Sequence, residues 1–386
     1  MLTILIGALS TTAATVLLGA GAARLGVLTS VGTREAGALM VGLLEPCLAA
    51  STLVKLTLPE LIKSAPLLLW AGAHVTLGLL IGRLLLPQSE RRGALLLICA
   101  FGNAGGLPNA IAPALLRGSA SSDATVSEAL FYVQMYLFWW RLLVWSIGPA
   151  LLATAAMPNT HLRKKTDGDA QATQITPITF RQLFPPPACA SVGGVLVGLV
   201  PPFRALFVEG ALLPVMRAAE ALGQAGSALA LLTLGSALNG TFQHGTGGSG
   251  SPTRKEFFTV CAVRLVLVPA VHLLLHACAY PLASNRHGDD WAFHLVLILQ
   301  PAMPCALSVQ ASSAADAPTP PAQALLCASV SPPQSPLLQA VCQAAGIDSR
   351  PLGLLMAAQY ALALLSVSAY FSAASSALHW LVPDAV

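Results

Sequence analysis

The sequence predicts an all-α membrane protein whose ten transmembrane helices form two inverted repeats of five, with helices 4 and 9 broken at a central crossover. Two observations carry this prediction. Of the 386 residues, 55% are hydrophobic and only 9% are charged, against roughly 25% charged residues in a soluble domain. In addition, helix breakers interrupt one long apolar stretch near its centre in each half of the chain.

Each interruption contains residues that break helices. The first reads Gly-Asn-Ala-Gly-Gly-Leu-Pro-Asn over 102–109, and the second reads Gln-Pro-Ala-Met-Pro over 300–304. A break at membrane depth exposes backbone groups where water is absent, and this is tolerated only where those groups line a protein cavity or a site. Matched breaks in the two halves of a chain indicate a secondary transporter. A pair of kinked structural helices is the alternative, since Gly and Pro are common in membrane spans.

Runs of about 20 apolar residues mark the helices themselves. They lie at Leu2–Ala23, Ala36–Leu56, Ala65–Leu86, Ala94–Leu116, Ala129–Leu152, Pro186–Pro201, Leu212–Asn239, Phe257–Pro281, Trp291–Ser313 and Leu352–Leu378. An odd number of helices per repeat inverts the second repeat in the membrane. We therefore expect the first repeat over 1–156, a short cytosolic loop over 157–183 and the second repeat over 184–386. Its Ala-, Pro- and Ser-rich stretch at 314–350 reads as a disordered insertion or a partial re-entrant segment.

Charge indicates the orientation and excludes one class of function. Lys and Arg concentrate in the loops after the odd-numbered spans, as in Arg163-Lys164-Lys165. The positive-inside rule places these loops in the cytosol and both termini outside it. The first basic residue, Arg24, follows the first apolar run, which favours a retained first helix over a cleaved signal peptide. The formal net charge of +4 is too small and too dispersed for nucleic-acid binding.

The interruptions supply the first candidate site residues. Beyond each break a new half-helix begins, with free N–H groups and the positive end of a helix dipole. Two such ends facing one cavity would bind an anion without any formal charge. The predicted substrate-binding residues are Asn103, Pro108, Asn109, Gln300, Pro304 and Ser308.

Charged residues inside the predicted spans are the second set of candidates, because such charges are costly in lipid and usually face the protein interior. Glu45 lies mid-span beside Pro46, and it is either a proton carrier or a protonated structural residue. Arg141 and Arg264 lie in spans 5 and 8. Each could draw an anion into the cavity, or pair with Glu45 or with helix ends.

Motifs of other functional classes are absent from the sequence. No G-x-S-x-G or Walker A motif is present, and the eight cysteines form no C-x-x-C pair. His272 and His276 have the i,i+4 spacing of metal ligands, but no carboxylate lies between them as the metalloprotease motif requires. We therefore predict no metal, no cofactor and no enzymatic activity. An intramembrane enzyme would need a paired acid and base, and a seven-span receptor would need three of the ten spans to be wrong.

Residues 102–108, followed by Ile111-Ala112-Pro113-Ala114, resemble the fourth-span signature of the auxin efflux carrier superfamily. The pattern is most similar to the G-N-x-G-N-L-P of the PIN-likes branch. Supporting matches are Glu45-Pro46-Cys47-Leu48, Arg264-Leu265 with Pro269, and Leu299-Gln300 with Pro304. The resemblance covers nearly the whole chain.

This resemblance implies a carrier of auxin (indole-3-acetic acid) that works by alternating access, takes part in auxin signalling and resides in the endoplasmic reticulum membrane. The plasma membrane is the alternative location, and another organic anion, such as a dicarboxylate or a bile-acid-like compound, is the alternative substrate. In the family, the residues at Pro108 and Asn109 lie at the substrate site. This chain departs from the pattern at Gly106 and Ser308, where Asn is usual, and at Glu45, where a neutral residue is usual. The expected partners are the anion and the lipid bilayer but no nucleic acid, and a homodimer is left open.

Overall fold

The computed structural model describes residues 2–88, 92–118, 121–156, 186–243, 253–287, 290–304 and 353–381. These residues are helical throughout and contain no β-strand. In chain order the helices are α1 (Leu2–Arg24), α2 (Ser30–Leu39), α3 (Glu45–Leu53), α4 (Leu58–Leu85), α5 (Arg92–Ala100), α6 (Gly106–Gly118), α7 (Asp123–Ala156), α8 (Pro186–Leu199), α9 (Pro201–Val208), α10 (Leu213–Gln243), α11 (Arg254–Ala262), α12 (Val268–His287), α13 (Trp291–Ala302) and α14 (Gly353–Leu381).

Each predicted span has a helix at its position in the described part of the chain. Among the described residues, five helices are long and apolar enough to cross a membrane, namely Ile6–Arg24, Val31–Leu53, Leu58–Leu85, Leu213–Asn239 and Arg254–Ala279. The central loop at 157–183, Ser308, the rest of span 9 and the stretch at 314–350 lie outside the described residues.

Helix caps and prolines explain where the helix boundaries differ from the predicted spans. The hydroxyl of Thr29 caps α2, and Thr57 with Glu60 forms a capping box at the start of α4. Both helices therefore begin earlier than their apolar runs, because side-chain acceptors satisfy the first N–H groups. Span 6 ends at Leu199, and the chain bends by 108° into α9. The prolines at 201 and 202 explain this bend, since proline disfavours helical backbone at the preceding residue.

The helices pack as two groups. The scaffold bundle comprises α1, α2, α3, α8, α9 and α10, and the crossover bundle comprises α4 to α7 and α11 to α14. Helices within each group pack mainly on one another. In the scaffold bundle, α1 and α10 approach so closely that a Cβ at Gly19 or Gly235 would overlap the backbone of the opposite helix. Small residues at such contacts allow membrane helices to pack closely.

Two short π-helical turns interrupt the α-helical geometry. One spans Met40–Leu44 between α2 and α3, and the other spans Val263–Leu267 between α11 and α12. Glu45 directly follows the first turn, and Arg264 lies within the second. Since π-turns inside helices are frequent at functional sites, both intramembrane charges lie where the backbone departs from regular geometry.

Candidate functional site

The two interruptions of the apolar stretches meet in space. Helix α5 ends at Ala100 and α6 begins at Gly106, while α13 ends at Ala302. Between them, the backbone N–H of Asn103 donates to the carbonyl oxygen of Pro304 over 2.7 Å. The crossover is therefore a direct backbone contact between the two halves of the chain.

Arg264 holds this crossover together. Its side chain is fully buried. Its Nε donates to the carbonyl oxygen of Met303 over 2.9 Å, and its Nη1 approaches the carbonyl oxygen of Cys99 at 3.4 Å. The same Nη1 lies 2.7 Å from Nε2 of His74. One guanidinium thus satisfies a backbone acceptor in the second interruption and one at the end of α5, directly before the first, and unpaired acceptors of this kind would be costly at membrane depth.

Other predicted site residues also stabilise the crossover. The side-chain amide of Gln300 donates to the carbonyl oxygen of Ala104 over 3.0 Å. The amide of Asn103 donates to the hydroxyl of Tyr360 over 2.9 Å. Pro108 lies buried in the first turn of α6. The side chains of Asn103 and Gln300 therefore contact protein groups, and neither residue lines the cavity described next.

A cavity with about 330 Å³ of empty volume lies beside the first interruption, between the two bundles. The scaffold bundle contributes Met40, Glu45, Leu48, Gly223, Gly226, Ser227 and Ala230, and the crossover bundle contributes Gly105, Gly106, Asn109, Gln134, Leu137 and Arg141. The structure thus brings together three predicted residues, Glu45, Asn109 and Arg141. It places Asn103, Pro108, Gln300, Pro304 and Arg264 outside the lining of this cavity.

The polar groups of the cavity suit an anionic ligand. The side-chain oxygen of Asn109 accepts a hydrogen bond from the amide of Gln134 over 3.3 Å. Gly105 and Gly106 carry no side chain, so the first turn of α6 forms part of the wall. The N-terminus of a helix presents N–H groups and a positive dipole end, which attract negative charge.

An ion pair crosses the cavity between the two bundles. Nη2 of Arg141 lies 3.0 Å from Oε2 of Glu45, and its Nη1 donates to the hydroxyl of Ser191 over 3.4 Å. The Arg141 side chain is 9% exposed and that of Glu45 is 35% exposed. Among the described residues, the other ion pairs lie within one bundle each, as with Lys55 and Glu220 in the scaffold bundle. Of the sequence alternatives for Arg141, the structure has the pairing with Glu45.

A second charged group lies at one edge of the crossover bundle. Nζ of Lys63 lies 2.6 Å from Asp290 and 3.1 Å from Glu128, and the hydroxyl of Tyr132 donates to Asp290 over 2.6 Å. Burial alone would raise the pKa of Asp290. The hydrogen bonds from Lys63, Tyr132 and the backbone of Phe293 outweigh this effect, and the pKa lies below its ordinary value. These contacts tie α4, α7 and the start of α13 together.

Sequence reasoning did not identify two polar residues of the cavity, Gln134 and Ser227. A signal for Gln134 exists, because it lies seven residues before Arg141 on the same helix, and this spacing places both on one face. Ser227 is four residues after Gly223, which gives the same face of α10. A search for polar residues in helical register with Arg141 would have found Gln134.

Apolar helices that meet at their interruptions beside a cavity have the architecture of a secondary transporter. The sequence matches the family model described as "Membrane transport protein" over residues 5–371. The chain therefore belongs to this family, the auxin efflux carrier family, whose members are membrane transporters and not enzymes. A comparison with curated proteins found no match. The family and the apolar helices together identify an integral membrane protein.

Proposed function

We propose that the protein carries a small organic anion, with indole-3-acetate as the best candidate, and that the cavity between the bundles is its substrate site. The observation that carries this proposal is the Glu45–Arg141 ion pair, which lies in the cavity and links the two bundles. Asn109 and Gln134 lie beside it as hydrogen-bonding groups. A carboxylate is the ligand class that an arginine, two amides and a helix N-terminus recognise together.

The difference in exposure within the ion pair indicates how the substrate enters. Arg141 is held in the protein interior by Ser191 as well as Glu45, whereas about a third of the Glu45 side chain is exposed. Glu45 can therefore regain water more readily than Arg141 can. A substrate carboxylate would replace Glu45 as the partner of Arg141, and the buried guanidinium would keep a negative partner throughout.

Exchange of this partner also provides a mechanism for alternating access. The ion pair joins α3 of the scaffold bundle to α7 of the crossover bundle. When a substrate takes the place of Glu45, the bundles lose this link and can move relative to one another around the fixed site, as inverted-repeat carriers do.

The lining of the cavity favours a small aromatic acid. Met40, Leu48 and Leu137 offer apolar walls for a ring. A bile acid is larger than an indole acid, and a dicarboxylate would place its second charge against these apolar walls.

The finer assignment to the PIN-likes branch, and with it to the endoplasmic reticulum, is also a proposal. It is supported by the motif at 102–108 and by the short polar stretch between the two halves at 157–183. A tagged full-length protein should co-localise with an endoplasmic reticulum marker. Co-localisation with a plasma membrane marker would favour the alternative location.

Uptake by purified protein in liposomes tests the proposed substrate. Vesicles should take up labelled indole-3-acetate faster than protein-free vesicles, and unlabelled indole-3-acetate should compete better than a dicarboxylate or a bile acid. Stronger competition by either of the other two would reassign the substrate. Uptake of none of the three would contradict the proposal.

A further inference from the structure

A cluster of four histidines lies inside the crossover bundle, apart from the cavity. The histidine cluster consists of His74 on α4, His272 and His276 on α12, and His294 on α13. The ring centroids of His74 and His272 are 5.6 Å apart, and those of His276 and His294 are 5.3 Å apart. His272 and His276 lie one helical turn apart, and Trp70 contacts both rings at 4.8 Å and 5.7 Å. The four imidazoles therefore form a continuous series across three helices.

The four imidazoles are polar groups buried in an apolar part of the protein. All four are at most 4% exposed. Both ring nitrogens of His272 are buried without a hydrogen-bond partner among the described residues. A buried polar atom without a partner costs free energy, so a native protein retains one mainly where it has a functional use. The described residues contain no group of three or more His, Cys, Asp or Glu with metal-binding geometry, so the cluster points to a smaller ligand.

The two ends of the cluster differ in charge. His294 lies one turn after Asp290, whose carboxylate binds Lys63 at the edge of the bundle and neighbours Glu128 through it. At the other end, Nε2 of His74 accepts a hydrogen bond from Arg264. The series thus runs from a partly exposed carboxylate pair to the guanidinium that holds the crossover.

The titratable groups around the cluster come from every helix packed against it. Helix α7 contributes Tyr136, whose hydroxyl lies 2.5 Å from Nδ1 of His74, and α5 and α11 contribute Cys99 and Cys261. Helix α14 has no Asp, Glu, Lys or Arg over Gly353–Leu381, and its titratable residues are Tyr360, Tyr370 and His379. Among the described residues around the cluster, Arg264 is the cation beside His74, and Asp290 and Glu128 are the anions near His294, where Lys63 pairs with both.

We propose that the histidine cluster is a second binding site of the carrier, and that its ligand is the proton transported together with the anion. This proposal rests on the proposed function. A proton from the aqueous phase at the Asp290 end would add to a neutral imidazole, and it would leave after the site opens to the other side. Burial and the charge of Arg264 both oppose an imidazolium here. A substrate anion bound in the cavity has the opposite charge, so each ligand favours binding of the other.

The link between His74 and Arg264 would transmit this binding to the crossover. A protonated His74 can no longer accept the hydrogen bond from Arg264, and the two cations repel each other. Arg264 also binds the carbonyl oxygen of Met303, in the second interruption, and that of Cys99, at the end of α5 directly before the first interruption. Proton binding therefore changes the contacts of the backbone segments that border the cavity.

The choice of driving force tests this proposal. Liposomes containing the full chain receive labelled indole-3-acetate, with a dicarboxylate and a bile acid as further probes, under either an imposed pH difference or an imposed membrane potential. Uptake is counted in excess of protein-free vesicles, because the neutral acid crosses lipid unaided. In the wild type, an acidic exterior should drive uptake and an inside-positive potential should add little. In His272→Phe and His272→Gln, we expect loss of the response to pH and a gain of the response to potential, with anion exchange retained.

The control variant is Trp70→Phe, which alters packing against the same imidazoles without removing a titratable group, and it should keep the response to pH. Wild-type uptake that follows the potential and ignores pH would overturn the proton site while leaving the anion carrier intact. This wild-type result decides the matter even where a His272 variant does not fold. Absence of uptake for all probes under both conditions would overturn the proposed function and the proton site with it.

Discussion

The two intramembrane arginines of this protein differ in the partners that the fold gives them. Arg141 faces a carboxylate, Glu45, across a cavity between the bundles. Arg264 instead donates to two carbonyl oxygens and an imidazole nitrogen, which are uncharged groups within the crossover bundle. A charge paired with a partly exposed carboxylate can exchange that partner for a ligand. A charge that satisfies fixed backbone acceptors instead maintains the structure.

The largest expected effect is on the structural arginine. Arg264→Gln removes the donor of three buried acceptors, and each unpaired acceptor costs about 1–3 kcal/mol. We expect the free energy of unfolding to fall by on the order of 3 kcal/mol or more, which thermal unfolding in detergent measures. Arg264→Lys should not restore stability, because an ammonium lacks the planar fork of donors.

Arg217→Gln is the control for this change, since Arg217 lies exposed on α10. It should leave the unfolding temperature close to that of the wild type. If Arg264→Gln unfolds at the wild-type temperature, Arg264 does not stabilise the crossover and the contrast with Arg141 is lost.

The next effect concerns substrate binding by Arg141. Arg141→Gln removes a charged hydrogen-bond donor, worth about 1.5–3 kcal/mol, so affinity for indole-3-acetate should fall roughly 10- to 150-fold. Isothermal titration of the purified variant measures this loss. The affinity should fall far more than the unfolding temperature does, and the reverse pattern would mean that Arg141 is structural like Arg264.

Asn109 is an uncharged residue of the same cavity, and its substitution tests whether the substrate binds there. Losing a buried hydrogen-bond partner costs about 1–3 kcal/mol, which is roughly a 5- to 150-fold loss of affinity for Asn109→Ala. Asn239→Ala is the matched control, because Asn239 bonds to Arg24 in the scaffold bundle. Ser308→Ala should weaken binding less. Wild-type affinity in Asn109→Ala would move the substrate site away from the cavity.

These residues also mark how far the sequence predicts the site. The helix-breaking residues predict the positions of both interruptions, because Gly and Pro act on the local backbone and need no tertiary contact. Intramembrane charge identified Glu45 and Arg141 as candidates, since lipid penalises such residues wherever they lie. The same logic could not assign Gln300 and Asn103 to the crossover instead of the cavity. Their partners, Ala104 and Tyr360, are distant in sequence, and only the tertiary fold brings them together.

The histidine cluster illustrates the same limit. The i,i+4 spacing of His272 and His276 was visible, but His74 and His294 lie on other helices with no periodic relation to them. The starts of α2 and α4 were also predicted too late, because polar and charged residues near these starts lower the hydropathy even where threonine caps favour a helix. Hydropathy therefore predicts where the helices lie, whereas the role of each buried polar residue depends on tertiary contacts that the sequence does not show.

Glu45→Gln tests whether the transported proton binds to Glu45 or to the histidine cluster. Without the competing charge, Arg141 should bind indole-3-acetate more tightly, by about fivefold for an interaction of about 1 kcal/mol. Uptake driven by a pH difference should persist, because the proposed proton site is the histidine cluster. If this variant instead loses its pH dependence, Glu45 carries the proton and the cluster does not.

The smallest effect is expected at the edge of the crossover bundle, where Asp290 is paired with Lys63. The pKa of Asp290 is lowered in the folded protein, so ionised Asp290 stabilises the fold fully above its ordinary pKa of about 3.9. This stabilisation is lost as the pH falls through the lower folded value. Asp290→Asn should therefore reduce the unfolding free energy at neutral pH by about 1 kcal/mol or less and remove part of the acid sensitivity. Asp123→Asn, at an exposed acid in the first turn of α7, should change the acid profile less. Identical acid profiles for wild type and Asp290→Asn would mean that the Lys63 contact adds no net stability, and that the partly exposed ion pair does not stabilise this bundle as the fully buried contacts of Arg264 do.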